Sequence, residues 1–283
     1  MDVSRGIVGL WVFAAGACIG SFVNVVAYRL PRDISIVVPR SFCPRCGKAV
    51  PAWANVPILA YLVLRGRCAV CGGAIPFRYF LTELALASAA LYLYLNFPPL
   101  DALARFVFCA ALFVAALVDY DWRVIPSSVT FPGIPIGILT AWLVMPEVGW
   151  KNSVAGVAIG AGFLFVTGEV YLRLRGREGV GLGDVWLLAM VGAFLGLTGA
   201  LFTLFAGSIL GTIGGIAMWA GGEHSTLPND TGPMAVGEVD TNATHAAAPS
   251  GLLQTEIPFG PFLAFAAAIF ALFQPVLADW YFS

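Results

Sequence analysis

The chain consists of long apolar runs separated by shorter polar segments. The first run covers residues 6–28. As a helix rising about 1.5 Å per residue, it is long enough to cross a bilayer. The two runs between 185 and 220 are divided only by residues 196–199. The pattern predicts an all-α polytopic membrane protein with about eight transmembrane helices, the later ones at roughly 79–97, 103–118, 129–146, 153–172, 185–200, 201–220 and 258–281.

The composition supports a membrane protein. Hydrophobic residues make up 59% of the chain and charged residues only 11%, whereas a soluble domain carries about 25% charged residues. The formal net charge of -1 gives no basis for binding nucleic acid. A signal peptide is the alternative interpretation of the first run. The length of the run, and Arg29 and Arg32 directly after it, favour a retained helix.

Positive charges predict the orientation of the chain. Residues 29–78 contain eight of the fifteen Lys and Arg residues. Because cytoplasmic loops collect Lys and Arg, this segment is predicted to be cytoplasmic and the N-terminus to lie outside. Alternating spans agree with that orientation, since the other inside loops then hold Arg123, Arg173, Arg175 and Arg177, whereas the outside holds only Arg5, Arg105 and Lys151.

The same polar segment contains two Cys-x-x-Cys motifs, each followed by glycine. Two such pairs are typical of a tetrahedral zinc ion bound by four thiolates. Two disulfides are the alternative, which a reducing cytosol disfavours. A zinc ion with four protein ligands has no open position, so we expect a structural zinc in a small cytoplasmic loop domain, with the ligands Cys43, Cys46, Cys68 and Cys71.

Carboxylates lie at the cytoplasmic ends of two predicted spans. Asp119 and Asp121 end the third span, and Asp184 opens the sixth directly after Gly181 and Gly183. On the predicted topology both motifs lie at the same depth in the same leaflet. A charge inside a bilayer costs at least a few kcal/mol, so two acidic motifs at one level indicate a function. The spacing alone does not rank Asp119 against Asp121.

Two carboxylates at one site indicate a specific chemistry. They can share a proton, so that one activates water as a base while the other donates a proton to the peptide group. This is peptide hydrolysis of the aspartic-protease type. Gly181 and Gly183 would let the backbone unwind and an extended substrate approach. A lone aspartate such as Asp184 is often only a helix cap, but the second motif at the matching depth favours catalysis.

Other acidic residues have simpler interpretations as ion-pair partners. We expect Glu83 to pair with Arg78, and Glu169 to pair with Arg173 one helical turn later. The segment 221–257 has no Lys or Arg and is rich in small and polar residues. It is predicted to be a polar cytoplasmic loop.

The ordered motifs of the chain resemble those of the type IV prepilin peptidase family, the bifunctional leader peptidases and N-methyltransferases of type IV pilus and type II secretion systems. The resemblance covers nearly the whole chain. Its motifs are Gly-Ser-Phe-Val-Asn-Val at 20–25, Tyr-Arg-Leu-Pro at 28–31, Ser-Phe-Cys-Pro-Arg-Cys-Gly at 41–47, Asn-Val-Pro-Ile at 55–58, Arg-Gly-Arg-Cys at 65–68 continuing to Cys71, Arg78-Tyr79 with Glu83, Asp119 with Pro126, Gly-Leu-Gly-Asp at 181–184 and Pro-Phe-Gly-Pro-Phe at 258–262.

The resemblance implies that Asp119 and Asp184 are the catalytic pair, which ranks Asp119 above Asp121. It implies prepilin or pseudopilin substrates, whose short basic leader is cleaved at the cytoplasmic face of the bacterial inner membrane, and methylation of the new N-terminus by S-adenosylmethionine. The implied organisation is a first transmembrane helix (1–28), a cytoplasmic zinc-binding domain (29–78) and a transmembrane aspartyl peptidase domain (79–283).

Two alternatives remain open at this point. A presenilin-like intramembrane protease also carries Gly-x-Gly-Asp, but its usual partner motif is Tyr-Asp in the middle of a span, and it has no place for the cysteine pairs. A non-catalytic zinc-stapled scaffold for secretion would need the cysteines but neither aspartate.

Overall fold

The computed structural model describes residues 3–176, 179–220 and 258–282. The predicted polar loop at 221–257 lies outside the described residues. In the described part the regular structure is helical, with two isolated β-bridges, so the all-α prediction is confirmed. The helices are α1 Val3–Arg29, α2 Leu59–Val63, α3 Phe77–Asn96, α4 Pro99–Trp122, α5 Ser127–Leu143, α6 Trp150–Gly156, α7 Gly162–Arg175, α8 Leu182–Ala220 and α9 Gly260–Phe282.

Several of these helices have the dimensions of membrane spans. Four described helical segments are long and apolar enough to cross a bilayer, and two shorter apolar helices accompany them. The membrane class is therefore confirmed, whereas the number of eight spans stays a prediction. The four long segments are Ser4–Arg32, Pro99–Trp122, Trp150–Arg175 and Leu182–Ala217.

Helix α8 is interrupted where the sequence separates two apolar runs. Gly196 has φ 71° and ψ -170° inside the helix, a conformation that glycine adopts most easily because it has no Cβ. The interruption frees backbone groups of their helical partners. The side chain of Asn152 accepts the Leu197 N–H at 3.1 Å, which satisfies one of these groups without water.

Helices α1 and α3 pack with their backbones close together. A Cβ atom on Gly20 would lie 2.7 Å from the Cα of Glu83, and one on Gly16 would lie 2.7 Å from the Cβ of Ala90. Small residues permit such close packing between membrane helices. The close contact fixes the C-terminal half of α1 against α3.

Helix α4 is anchored to α9 by a buried arginine. Arg105 is almost completely buried, and its Nε donates to Asp101 Oδ1 at 2.7 Å. Its Nη1 donates to the carbonyl oxygen of Ala271 at 2.9 Å and to Gln274 Oε1 at 2.7 Å. A charge buried within a helix bundle is stable only when it is paired and hydrogen-bonded. Arg105 is therefore a structural residue rather than a simple outside-loop cation.

This pairing makes a double-variant prediction. We expect Arg105→Leu to lower the free energy of unfolding by about 3–5 kcal/mol, because Asp101 is left buried without its partner. The double variant Arg105→Leu, Asp101→Asn should recover part of that loss, since no buried charge remains. Thermal unfolding in detergent measures both. Equal instability of the single and double variants would contradict the explanation.

Candidate active site and cysteine cluster

The C-terminal end of α4 is shaped by a left-handed cap. Arg123 follows the last helical residue with φ 55°, and its N–H donates to the carbonyl oxygen of Asp119 at 2.8 Å. This geometry ends a helix within one residue. Ile125 precedes Pro126, and a residue before a proline avoids helical geometry. The chain therefore stays out of a helix there before α5 begins. Asp119 consequently lies in the last turn of α4, where a tight turn follows it.

Asp119 is held by the first residue of α9. Its side chain is 6% exposed, and its Oδ2 accepts the Gly260 N–H at 3.0 Å. The first N–H groups of a helix have no partner within the helix, so they are available to a carboxylate. A Cβ atom at position 260 would lie 2.6 Å from that same Oδ2. Only glycine fits here without displacing the aspartate.

Asp184 lies in the first turn of α8 and faces Asp119. Its N–H donates to the carbonyl oxygen of Gly181 at 3.1 Å, which closes the turn that opens the helix. The side chain is half-buried. The two carboxyl groups are close enough for their charges to interact. The structure thus brings together the two aspartates that the sequence places at one depth.

Ile125 is the residue that lies between these segments. A Cβ atom on Gly183 would lie 3.0 Å from the Cβ of Ile125, and one on Gly260 would lie 3.0 Å from its Cδ1. Gly181 and Gly183 do not have the left-handed backbone that requires glycine. In this conformation Gly183 permits close packing against Ile125, and its part in substrate approach stays a prediction.

Ile125 and Gly260 are residues of the site that the sequence pattern alone did not predict. Both nevertheless lie in motifs that the sequence displays, the Ile-Pro pair after Asp119 and the Pro-Phe-Gly-Pro-Phe segment at 258–262. The signal in the sequence was a glycine or proline next to a bulky apolar residue, and it occurs in both of these segments. Such a combination marks places where backbones come close together.

The neighbouring acidic residues have other partners. Asp121 forms an ion pair with Arg78 of α3, so it is engaged in a way that Asp119 is not. The expected Glu83–Arg78 pair is wrong, because Glu83 Oε2 accepts the backbone N–H of Ile58 at 2.7 Å instead. The expected pair between Glu169 and Arg173 is confirmed, with an N–O distance of 2.7 Å.

The four cysteines of the polar segment form one cluster. Their Sγ atoms all lie within 4.8 Å of one another, and the thiols are free rather than paired in disulfides. Zinc–sulfur bonds of about 2.3 Å in a tetrahedron require sulfur atoms separated by about 3.8 Å. The Cys43 and Cys71 sulfur atoms, 4.0 Å apart, meet that requirement. This donor set fits a tetrahedral ion that prefers thiolates.

The two halves of the cluster have the same local structure. In each half the first cysteine accepts, at its carbonyl oxygen, the N–H of the glycine that follows the second cysteine, at 2.9 Å. Gly47 and Gly72 have φ values of 67° and 69°, which explains the glycine after each pair. The Val70 N–H donates to the Cys68 sulfur at 3.5 Å, which favours a metal-binding thiolate at Cys68.

Comparison with known proteins identifies the family. Residues 14–97 match the model of the bacterial peptidase A24 N-terminal domain. Residues 106–216, which include both aspartates, match the model of the type IV leader peptidase family. A prepilin leader peptidase/N-methyltransferase from Burkholderia pseudomallei (strain K96243) is 37% identical over 252 residues, covering 77% of this chain and 79% of that protein. The chain belongs to the type IV leader peptidase family.

Other members of the type IV leader peptidase family align over different lengths. A protein of Aeromonas salmonicida (strain A449) is 30% identical over 312 aligned positions, covering 100% of this chain and 98% of its own. A protein of Myxococcus xanthus (strain DK1622) is 36% identical over 210 positions, covering 74% of this chain and 62% of its own. Both carry the name prepilin leader peptidase/N-methyltransferase. No solved structure matches the chain.

The packing around Asp119 makes a testable prediction. Gly260→Ala inserts a methyl group against Asp119 and Ile125, so α9 must shift, and we expect a loss of about 1–3 kcal/mol in the free energy of unfolding. Gly181→Ala is the matched control, because a Cβ there meets only ordinary contact at 3.5 Å. Hydrogen exchange should increase at the start of α9 in Gly260→Ala alone. Unchanged exchange and stability in that variant would disprove the close packing.

Proposed function

We propose that this protein is a membrane aspartyl endopeptidase that removes the short basic leader of type IV prepilins or pseudopilins and then N-methylates the new N-terminus with S-adenosylmethionine. The observation that carries the proposal is the proximity of Asp119 and Asp184 at the junction of α4, α8 and α9. The names of the relatives support the substrate class and the second activity.

The proposed hydrolysis uses both aspartates as one unit. One carboxylate takes a proton from water, and the resulting hydroxide attacks the carbonyl carbon of the scissile peptide. The other carboxyl group protonates the carbonyl oxygen, which gives a tetrahedral diol. As the C–N bond breaks, the leaving amine takes the proton that the first carboxyl group removed from water, and one hydroxyl proton of the diol returns to the other carboxylate. The Gly260 N–H holds one oxygen of Asp119, which leaves the other oxygen for proton exchange.

The cytoplasmic face is the proposed location of this chemistry. Cationic residues surround the end of α4, where Arg78 pairs with Asp121 and the Arg32 guanidinium lies 4.8 Å from the Trp122 ring. Positive residues of this kind mark the cytoplasmic side of a membrane protein. The proposal therefore places the active site at the cytoplasmic face of the bacterial inner membrane, with a periplasmic N-terminus.

Zinc has a structural part in the proposal. The four-cysteine cluster would bind one zinc ion through Cys43, Cys46, Cys68 and Cys71, and would leave no position for water or substrate. The ion would join two turns that are far apart in sequence, and so would help to fold the cytoplasmic domain at 29–78. The peptidase domain at 79–283 would supply the carboxyl groups.

Three asparagine substitutions test the catalytic assignment. We expect Asp119→Asn and Asp184→Asn each to reduce leader cleavage by at least a thousandfold, because neither amide can exchange the shared proton. Asp121→Asn is the matched control and should keep cleavage within severalfold, since it loses only the Arg78 pair. Cleavage is followed by the gel shift of a prepilin incubated with membranes.

The outcome separates the candidate functions. Wild-type cleavage in either Asp119→Asn or Asp184→Asn would exclude the aspartate pair as the catalytic unit. If the aspartate variants were fully functional in secretion while cysteine variants failed, the protein would act as a zinc-stapled scaffold instead.

Metal analysis tests the zinc assignment. We expect purified protein to contain about one zinc per chain, and Cys43→Ser to lose the metal and unfold at a lower temperature. Cys18→Ser is the matched control, because Cys18 is an exposed cysteine of α1 outside the cluster. Protein without zinc that is as stable as wild type would contradict the assignment.

A further inference from the structure

The segment between α1 and α3, residues 30–76, carries the four-cysteine cluster and is called the cysteine module here. A cavity of about 400 Å³ lies between α1, the cysteine module and the start of α3. Its volume is within the range of small-molecule sites, roughly 300–1,000 Å³. Asn24 and Tyr28 of α1 line one side, Phe42 of the cysteine module lines another, and Tyr79 and Glu83 of α3 complete it. Neither catalytic aspartate lines this cavity, so the peptidase chemistry does not account for it.

Two buried polar side chains in the cavity are only partly satisfied by the protein. Glu83 is 8% exposed, and among the described residues only its Oε2 has a hydrogen-bond partner, the Ile58 N–H. Asn24 is 5% exposed, and its amide nitrogen donates to the Tyr79 carbonyl oxygen at 3.2 Å. Buried polar groups normally have partners. The second oxygen of Glu83 and the amide oxygen of Asn24 are acceptors suited to a bound ligand.

The aromatic lining favours a flat and positively charged ligand. The rings of Tyr28 and Phe42 lie edge to face with centroids 6.4 Å apart, and Tyr61 and Tyr79 line the same space. Aromatic faces bind planar bases by stacking and cations through their negative electrostatic potential. A carboxylate beside them strengthens the preference for a cation.

Basic residues in the lining argue against the leader peptide as the occupant. Arg45 and Lys48 line the cavity and would repel a short basic segment, whereas the guanidinium of Arg29 is held by the backbone oxygens of Ser35 and Arg40. Arg45 and Lys48 attract a carboxylate. The lining therefore fits a small molecule that combines a flat base, a local positive charge and a carboxylate.

The cavity and the aspartate pair lie at the same end of the helices. Tyr79 follows Arg78, whose partner Asp121 is two residues from Asp119. The Arg32 guanidinium lies over the rings of both Tyr28, at 4.1 Å, and Trp122, at 4.8 Å. A peptide end released at the aspartates would have only a short distance to travel.

We propose that this cavity binds S-adenosylmethionine and that its methyl group is transferred from here, an inference that rests on the proposed function. Glu83 faces the cationic part of the ligand, the rings stack on the adenine, and the basic residues bind the carboxylate. The free amine of the new N-terminus attacks the methyl carbon, the sulfur–carbon bond breaks, and the sulfonium becomes a neutral thioether. The amine releases its proton to water.

Binding of S-adenosylmethionine to the purified full chain, measured by calorimetry without peptide, tests the site. Glu83→Gln keeps the acceptor for Ile58 but removes the charge, so we expect at least a tenfold weaker affinity and a lower ratio of methylation to cleavage. Glu169→Gln is the matched control, because Glu169 lies on α7 and outside the cavity lining; its affinity should equal that of wild type. Light-induced crosslinking of methyl-labelled S-adenosylmethionine should label peptides of α1 or α3.

Each outcome decides the proposal. Wild-type affinity in Glu83→Gln, a crosslink confined to other helices, or a crosslink of leader peptide in this cavity would overturn it. If Glu83→Gln does not insert into the membrane, the affinity and the ratio of methylation to cleavage are compared with wild type in Asn24→Ala instead. Leader cleavage by the Asp119→Asn or Asp184→Asn variant would refute the proposed peptidase mechanism. The calorimetric binding measurement tests the cavity alone. A wild-type enzyme that cleaves and methylates but whose crosslink lies on other helices would refute only the cavity assignment. One that cleaves but neither binds nor methylates would refute the proposed methylation as well.

Discussion

The hydrogen bond from the Gly260 amide to Asp119 depends on three chain segments meeting without a side chain between them. The end of α4 supplies the acid, the start of α9 supplies the amide, and Ile125 packs against both Gly260 and the Gly183 that precedes Asp184. Each backbone must therefore be in place before the two carboxyl groups can face each other. The buried Arg105 further along α4 and α9 holds the same two helices together, so one helix pairing supports the whole site.

The helix ends near Asp119 bring the aspartate pair close to the cavity between α1 and α3. Close packing of α1 on α3, made possible by Gly16 and Gly20, forms one wall of the cavity that we assign to the methyl donor. The Arg78–Asp121 pair then connects α3 to the helix that carries Asp119. Cleavage creates the amine that methylation consumes, so two adjacent sites suit two consecutive reactions. The cysteine module lines part of the cavity, so a metal bound by the four cysteines would help to shape the second site.

Much of the fold could be predicted because lipid imposes a simple rule, that long apolar segments must satisfy their backbone groups as helices. The uneven distribution of Lys and Arg between the loops predicts that Asp119 and Asp184 lie at the same depth in the membrane. The structure brings the two residues together. Partners distant in sequence could not be predicted this way. Arg78 pairs with Asp121, and Glu83 accepts the N–H of Ile58. Both contacts depend on how the helices are placed against each other, which the periodicity of apolar residues does not encode. The tasks of Ile125 and Gly260 are likewise visible only where the backbones meet.

The central claim is that Asp119 and Asp184 act as one unit that shares a proton. Labelling with an epoxide derivative of a leader peptide, mapped by mass spectrometry, tests it most directly, since one carboxylate must open the epoxide while its neighbour donates the proton. The account predicts one ester per chain, on Asp119 or Asp184, and none when the other aspartate is replaced by asparagine. Labelling of Asp121, or labelling that persists in both single variants, would contradict it.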